Sequence, residues 1–432
     1  MGVSGLTHST YYKFSNLFLR GISMGAKFLF ALYVSKFMQV EEYGEYTLMV
    51  TSITFLMFLL GLDYYSYTAR EILATSGDKK FVFIKHQFVF HSLVYLCFAP
   101  LIYLFCRQFL SADFFIAFYV LLVLEHFSQE LYRIFIFHDK HLTSNILLAF
   151  RTFLWVVLIC LDVQVFEIHS FSTELILTYW IFGSFFSFLI GLFLLYKEYP
   201  QPMANFFSFS DIDFSKIRKA LMICIPILVG TISYKLIEYS DRFIIDIMLG
   251  KEQVGIYGLF SNYANVVNII VNTVVTLMIF PKLVSSVKKK RHQEYIFYKK
   301  KFRKELILVT FGISILLAIT IFPVLDWINK EEYNTFITGF FLLLIGNVFL
   351  NLSFLPHYLL YSFNKDKKNI APMVLGMFLN IALNLILLFF LQNIIGAAIA
   401  TAASFILIYF LKTINWFRFN KDLIFENGQY SS

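Results

Sequence analysis

The chain has 432 residues, of which 59% are hydrophobic and 15% charged, against about 45–50% and about 25% in ordinary soluble domains. No segment reads as a soluble domain. The formal charge of +8 sits in short loops between apolar spans rather than on a folded basic face, which argues against nucleic acid as a partner.

Runs of about 20 apolar residues, enough at about 1.5 Å per residue to cross a hydrocarbon layer about 30 Å thick, recur from end to end. A polar stretch, Met1 to Lys13, precedes the first of them, which contains Arg20 and Lys27 and is followed by no small-residue cleavage site. It reads as a retained helix and not a signal peptide. In chain order the spans fall near 14–38, 44–63, 83–106, 113–135, 145–162 and 174–196, then 219–249, 254–280, 305–325, 335–360, 370–391 and 394–416. The expected fold is therefore all-α: a polytopic membrane protein of about twelve transmembrane helices in two six-helix lobes. Residues 1–197 form the N-terminal lobe, 198–218 a cytoplasmic linker, 219–417 the C-terminal lobe and 418–432 a cytoplasmic tail.

Orientation follows from the basic residues, which concentrate in cytoplasmic loops. With the N-terminus inside, the cytoplasmic segments carry 24 Lys and Arg, ten of them between Lys282 and Lys304; the external loops carry only Arg107, Lys251 and Lys330. This asymmetry places both termini in the cytoplasm and requires an even number of crossings. The Lys282 to Lys304 loop reads first as an anchor facing anionic headgroups.

The two halves resemble each other. Val40-Glu41-Glu42-Tyr43-Gly44-Glu45-Tyr46 and Lys251-Glu252-Gln253-Val254-Gly255-Ile256-Tyr257 occupy equivalent places and both put Gly-x-Tyr at the start of the following helix. Six spans separate them, so the repeat is parallel, and two lobes about an axis normal to the membrane leave a cavity where transporters of this build place their substrate.

Ionisable side chains at bilayer depth cost about 2.5–3.5 kcal/mol on insertion scales and normally face water or a partner. The first span holds Arg20 and Lys27, seven residues apart and on one face. The fourth holds Glu125, Gln129 and Arg133 at i, i+4 and i+8, flanked by His126 and Glu130; Arg151 lies in the fifth. The seventh carries Lys235, Glu238, Asp241, Arg242 and Asp246, in which 235, 238, 242 and 246 follow one helical face. That stripe reads either as self-paired through i, i+4 contacts or as facing the cavity, its cations toward an anion and its acids toward a coupling cation.

Catalytic chemistry is not visible. There is no GxxxxGK[ST] loop and no HExxH, so a self-contained ATP-driven pump is excluded. Cys97, Cys106, Cys160 and Cys224 lack CxxC spacing and read as small apolar packing residues. No catalytic residue, metal site or cofactor is expected.

Asp241-Arg242 followed by Leu249-Gly250 and Val254-Gly255-Ile256-Tyr257, with Pro226 earlier in the same helix and Gly396-Ala397-Ala398-Ile399-Ala400-Thr401 at the start of the last span, resembles the polysaccharide flippases of the multidrug/oligosaccharidyl-lipid/polysaccharide exporter (MOP) superfamily, O-antigen (Wzx-type) flippases above all. The resemblance implies a V-shaped bundle in the bacterial inner membrane. It implies a transporter, not an enzyme, that moves undecaprenyl-diphosphate-linked oligosaccharide from the cytoplasmic to the periplasmic leaflet by alternating access, coupled to H+ or Na+. Membrane lipids and other polysaccharide-assembly proteins are the implied partners. The diphosphate would fall to Arg20, Lys27, Lys235, Arg242, Arg133 and Arg151, with coupling or charge pairing at Glu125, Glu130, Glu238, Asp241 and Asp246. Two alternatives stay open. A cation-coupled multidrug exporter of the same superfamily would favour buried acids without the bases. A membrane glycan polymerase or ligase would need a large external loop, whereas the longest external break, 163–173, lacks Arg and Lys.

Overall fold

The computed structural model describes residue 19 and residues 21–23, 25–165, 171–204 and 212–427. Within these the chain is helical, with no strand. Residues 25–37 are helical and form α1, the described part of the first expected span. Eleven further helices are long and apolar enough to cross a membrane: α2 (Val40–Gly61), α3 (Lys79–Phe109), α4 (Ala112–Phe137), α5 (His141–Asp162), α6 (Thr173–Glu198), α7 (Phe214–Leu249), α8 (Lys251–Lys288), α9 (His292–Ile328), α10 (Ile337–Ser362), α11 (Asp366–Leu391) and α12 (Ile395–Lys421). Their outward faces are apolar, with Leu96, Ile116 and Phe390 among the exposed side chains. That surface suits lipid, and helices satisfy their own backbone groups where water is absent.

Several helices outrun the bilayer. At about 1.5 Å per residue the 37 residues of α9 extend about 55 Å, so its basic first turns continue beyond the hydrocarbon layer. The fifth span, the shortest by hydropathy, is 22 residues long because it begins four residues earlier than expected, at His141, and it includes a π-helical turn at Phe150–Leu154. A second π turn, Asn272–Thr276, interrupts α8.

The chain forms two compact units, residues 1–228 and 229–432, with α7 beginning in the first and ending in the second. In the first unit α4 lies against α2, α3, α5 and α6, so its polar residues are surrounded by helices rather than lipid. Tyr64, Tyr67 and Phe90 pack with Ile217, Ala220 and Cys224 at the start of α7. Ser172 caps α6 by accepting from the Leu175 N–H at 3.1 Å, which satisfies one of the free donors of a first turn.

In the second unit α12 is gripped by α10 and α11. Gly346 makes this possible: a Cβ there would stand 2.9 Å from the Ala402 Cα. Ala397, Ala398 and Ala400 are fully buried on the facing surface, so the small-residue run at the start of the last span acts as a close-packing face. Gly250, between α7 and α8, has φ +90°, a conformation open to glycine at little cost. Both Gly-x-Tyr copies lie in the first two turns of their helices, α2 and α8, and all four residues are buried.

Candidate functional site

The first unit holds a cavity of about 210 Å³ whose wall includes Lys27, Asp63, Glu125, His126, Gln129, Glu130, Arg133 and Arg151. Five residues singled out by charge at bilayer depth thus meet at one place: Lys27 from α1, Glu125, Glu130 and Arg133 from α4, and Arg151 from α5. The i, i+4, i+8 spacing of Glu125, Gln129 and Arg133 puts them on one face of α4, and that face is the cavity wall.

Glu125 is the organising carboxylate. Its Oε1 accepts from Trp180 Nε1 at 2.7 Å and from Ser184 Oγ at 2.6 Å, both on α6. Its Oε2 stands 3.6 Å from Arg151 Nε. The Trp180 ring stacks on Trp155 with centroids 5.6 Å apart and 14° between planes, and Trp155 Nε1 donates to the Arg151 carbonyl at 3.1 Å. Arg151 is held by its own turn as well as by Glu125. It is 8% exposed, and its Nη1 has no hydrogen-bond acceptor among the described residues.

The Lys27 ammonium lies 4.6 Å above the centre of the Trp180 ring. No carboxylate comes within 4 Å of it among the described residues. A cation over an aromatic face is held loosely, by about 0.5–2 kcal/mol, and keeps its N–H donors for another acceptor.

Glu130 sits in a second network. It accepts from Gln87 and from Arg133 Nη1, 2.5 Å away, and lies 3.6 Å from His126 Nε2. The Arg133 guanidinium covers the Tyr65 ring at 3.8 Å. His126 Nδ1 is bonded to the Tyr95 hydroxyl at 2.7 Å, and its ring lies 4.4 Å from that of His91. The wall carries three cationic and three acidic side chains. Glu125 and Glu130 have their oxygens committed to protein donors, whereas Lys27 and Nη1 of Arg151 do not have theirs committed to acceptors.

In the second unit Lys235 donates to Glu238 at 2.7 Å, while Arg242 donates to the Glu238 carbonyl at 2.7 Å, to Ser261 Oγ at 2.5 Å and to Asn262 Oδ1 at 3.3 Å. Asp246 is half-buried on the same helix. The stripe is therefore tied through Lys235–Glu238 at i, i+3, and Arg242 takes the Glu238 backbone in place of its carboxylate.

Asp241 points elsewhere. It is fully buried and accepts from Tyr257 and Thr401 at Oδ2 and from Asn384 Nδ2 at Oδ1, the last at 2.6 Å. The Asp241, Gly-x-Tyr and small-residue motifs, which stand 16 and 160 residues apart in these contacts, converge on this one carboxylate. Arg20 lies outside the described residues.

The family model described as "Polysaccharide biosynthesis protein" matches residues 13–287, which include every residue of the cavity wall. The chain belongs to this family of MOP-superfamily flippases. Comparison with curated protein sequences gives no match. Among solved structures the chain is similar to a multidrug resistance MATE transporter of the MOP superfamily in an inward-facing conformation, with TM-score 0.77, 10% identity and coverage of 95% of this chain and 96% of that one. It is similar to the lipid II flippase MurJ in an inward closed conformation, with TM-score 0.70, 13% identity and coverage of 94% and 87%. A point mutant of the Vibrio cholerae MATE transporter VcmN gives TM-score 0.61 at 12% identity over 97% of both chains. At these identities the likeness establishes the fold: a multi-pass, MATE-like helical membrane protein.

Spacing within one helix did not reveal Trp180, Trp155, Ser184, Gln87 or His91, whose partners lie 43 to 59 residues away or across a stack. Signals for some were present: Gln87 and His91 are polar residues at i, i+4 in an apolar span, as are Asn380 and Asn384 around Asp241. Lys412, in the last span and 1% exposed, is a further charge at bilayer depth that loop counting passed over.

Proposed function

We propose that the protein is a flippase that carries an undecaprenyl-diphosphate-linked oligosaccharide, an O-antigen repeat unit, from the cytoplasmic to the periplasmic leaflet by alternating access between two six-helix lobes, coupled to a gradient of H+ or Na+. Membership of a polysaccharide biosynthesis family supports a lipid-linked glycan as cargo, and the likeness to a lipid II flippase fold agrees with it. The observation that carries the reading is the Lys27 ammonium over Trp180, with no carboxylate within 4 Å among the described residues and the Nη1 of Arg151 without an acceptor on the same wall. A diphosphate leaves water only where cations replace its hydration.

Basic-loop asymmetry puts the α2–α3 connection in the cytoplasm. Asp63 and Tyr65 of that connection line the cavity, so its mouth is expected on the side where the substrate is made, in an inner membrane with both chain termini cytoplasmic. Lys27, Arg151 and Arg133 are the proposed diphosphate ligands, with Arg20, seven residues before Lys27 in the sequence, a further candidate. Lys235 and Arg242 would act from the second unit after release from Glu238 and Ser261. Glu125 and Glu130, together with Glu238 and Asp246, are the proposed groups for coupling or charge pairing.

The test is surface-polysaccharide analysis in a strain deleted for this gene and complemented with wild type, Lys27→Ala, Arg151→Ala or Arg133→Ala at matched membrane abundance. Loss of polymer in the deletion, restored by wild type and not by Lys27→Ala, is the expected result. A normal polymer in a deletion strain with no second flippase would overturn it. The second reading, a cation-coupled multidrug exporter, is favoured by Asp63, Glu125 and Glu130 on the same wall; drug hypersensitivity of the deletion with an intact polymer would be its signature.

A further inference from the structure

The second unit contains a separate cavity, about 400 Å³, between the basic end of α9, the last turns of α10 and the last turns of α12. Lys299, Lys300 and Arg303 line one side, and no acidic residue lines it anywhere. The two carboxylates of the basic segment 282–305 are engaged outside it: Glu294 with Arg291 at 3.1 Å and Glu305 with Lys301 at 3.6 Å. The three cations of the wall are left with no carboxylate within 4 Å among the described residues. Lys299 is positioned by two rings, Tyr295 and Trp416, each 5.8 Å from its ammonium. Thr413 contributes a buried Oγ1 on the same wall that makes no hydrogen bond among the described residues.

Apart from Tyr409 and Asn420 the rest of the lining is apolar, chiefly leucines of α9 and α10 with Trp416 and Phe417 of α12. A cavity cationic at one end and apolar along its length matches a ligand with an anionic head and a hydrocarbon tail, in either chemistry alone a poorer match. Its position agrees, because Lys, Arg, Trp and Tyr gather where a helix leaves the hydrocarbon, and α9 continues about 25 Å past a layer about 30 Å thick. We infer that this cavity binds the phosphate of an anionic membrane phospholipid, held by Lys299, Lys300 and Arg303 and the Thr413 hydroxyl, with an acyl chain along α10 and α12. This site is distinct from the charged cavity of the first unit and stands whether or not that cavity carries a glycan lipid.

The experiment is native mass spectrometry of the full-length protein released from detergent with added phosphatidylglycerol, phosphatidylcholine or inorganic phosphate. Wild type is expected to retain phosphatidylglycerol saturably and in preference to phosphatidylcholine. Lys299→Gln/Lys300→Gln/Arg303→Gln is expected to weaken retention about tenfold or more, the loss of one to two charge-assisted contacts. Lys288→Gln/Lys289→Gln/Lys290→Gln removes the same charge from the same basic segment outside the cavity and is expected to change retention less than about twofold. Leu355→Trp fills the cavity without touching charge and is expected to reduce retention even where the triple variant folds poorly. Equal weakening by the two triple variants would assign binding to general surface charge and overturn the proposal. Competition by inorganic phosphate at equimolar concentration would assign the site to free phosphate and overturn the lipid; retention unchanged in Leu355→Trp would overturn the cavity.

Discussion

Replacing Asp241 by Asn tests whether this carboxylate is a structural node or a coupling group. Two hydroxyls, Tyr257 and Thr401, donate to Oδ2, and the Asn384 amide donates to Oδ1. An amide offers one oxygen. With it turned toward the hydroxyls, its NH2 meets the NH2 of Asn384; turned the other way, both hydroxyls lose their acceptor, and since only one can turn to the other, 3.2 Å away, one hydroxyl hydrogen is left without an acceptor. The two surviving bonds fall from about 1.5–3 kcal/mol each, the range for a charged acceptor, to about 0.5–1.5, and the orphaned group adds about 1–3. Relief of the carboxylate's own desolvation offsets part of this, which leaves a net loss of about 2–4 kcal/mol, or roughly 5–15 °C in melting temperature for a unit of about 200 residues. Thermal melting in detergent reads the loss, and transport per folded copy should keep its dependence on the ion gradient. A variant as stable as wild type within about 0.5 kcal/mol, or a stable variant that has lost gradient dependence, would refute the structural role.

Trp180→Phe keeps a ring beneath Lys27 but removes the N–H bonded to Glu125, so it should cost about 1.5–3 kcal/mol, whereas Trp155→Phe, whose N–H meets a neutral carbonyl, should cost about 0.5–1.5; chemical denaturation of the pair in one detergent gives the comparison. Gly346→Val forces a side chain into the Ala402 backbone and should destabilise by about 1–3 kcal/mol, seen as lower yield of folded protein, and Ala402→Gly, which keeps the clashing Cα, should not restore it. Asp213, just ahead of α7, is held below the usual carboxylate range by hydrogen bonds from the Ser215 hydroxyl and N–H. A depressed value stabilises the fold above the unfolded-state value near 3.8 and the benefit disappears as pH falls through the lower one. Asp213→Asn should therefore melt below wild type at pH 6 and converge with it in stronger acid, and a gap that persists there would contradict the assignment.

The helices were legible because a bilayer demands long apolar runs and the chain supplies them one after another. The fifth span read as short because its first turn, His141-Leu142-Thr143-Ser144, is largely polar and a hydropathy reading leaves it out. The charged residues of the first cavity were legible one helix at a time: Glu125 and Arg133 by their spacing, Lys27 and Arg151 by the cost of their burial. Their meeting was not, since it depends on which faces of α1, α4, α5 and α6 turn inward. Asp241 shows the same limit from the other side. Its neighbour Arg242 and the ladder from Lys235 to Asp246 suggested one charged face, but Asp241 is about 100° round the helix from Arg242 and reaches Thr401, 160 residues on.

The π turn in α5 carries a consequence for chain length. Arg151 lies inside it and Trp155 immediately after it, and one must reach Glu125 while the other lies flat on Trp180. Deleting a single residue between 152 and 154 would restore ordinary helix while leaving everything beyond nearly in place, because a π turn holds about one residue more than an α turn for the same rotation. The same deletion in the ordinary helix between 155 and 162 would instead rotate the residues beyond it by about 100°, so it should cost far more folded protein than the deletion inside the π turn.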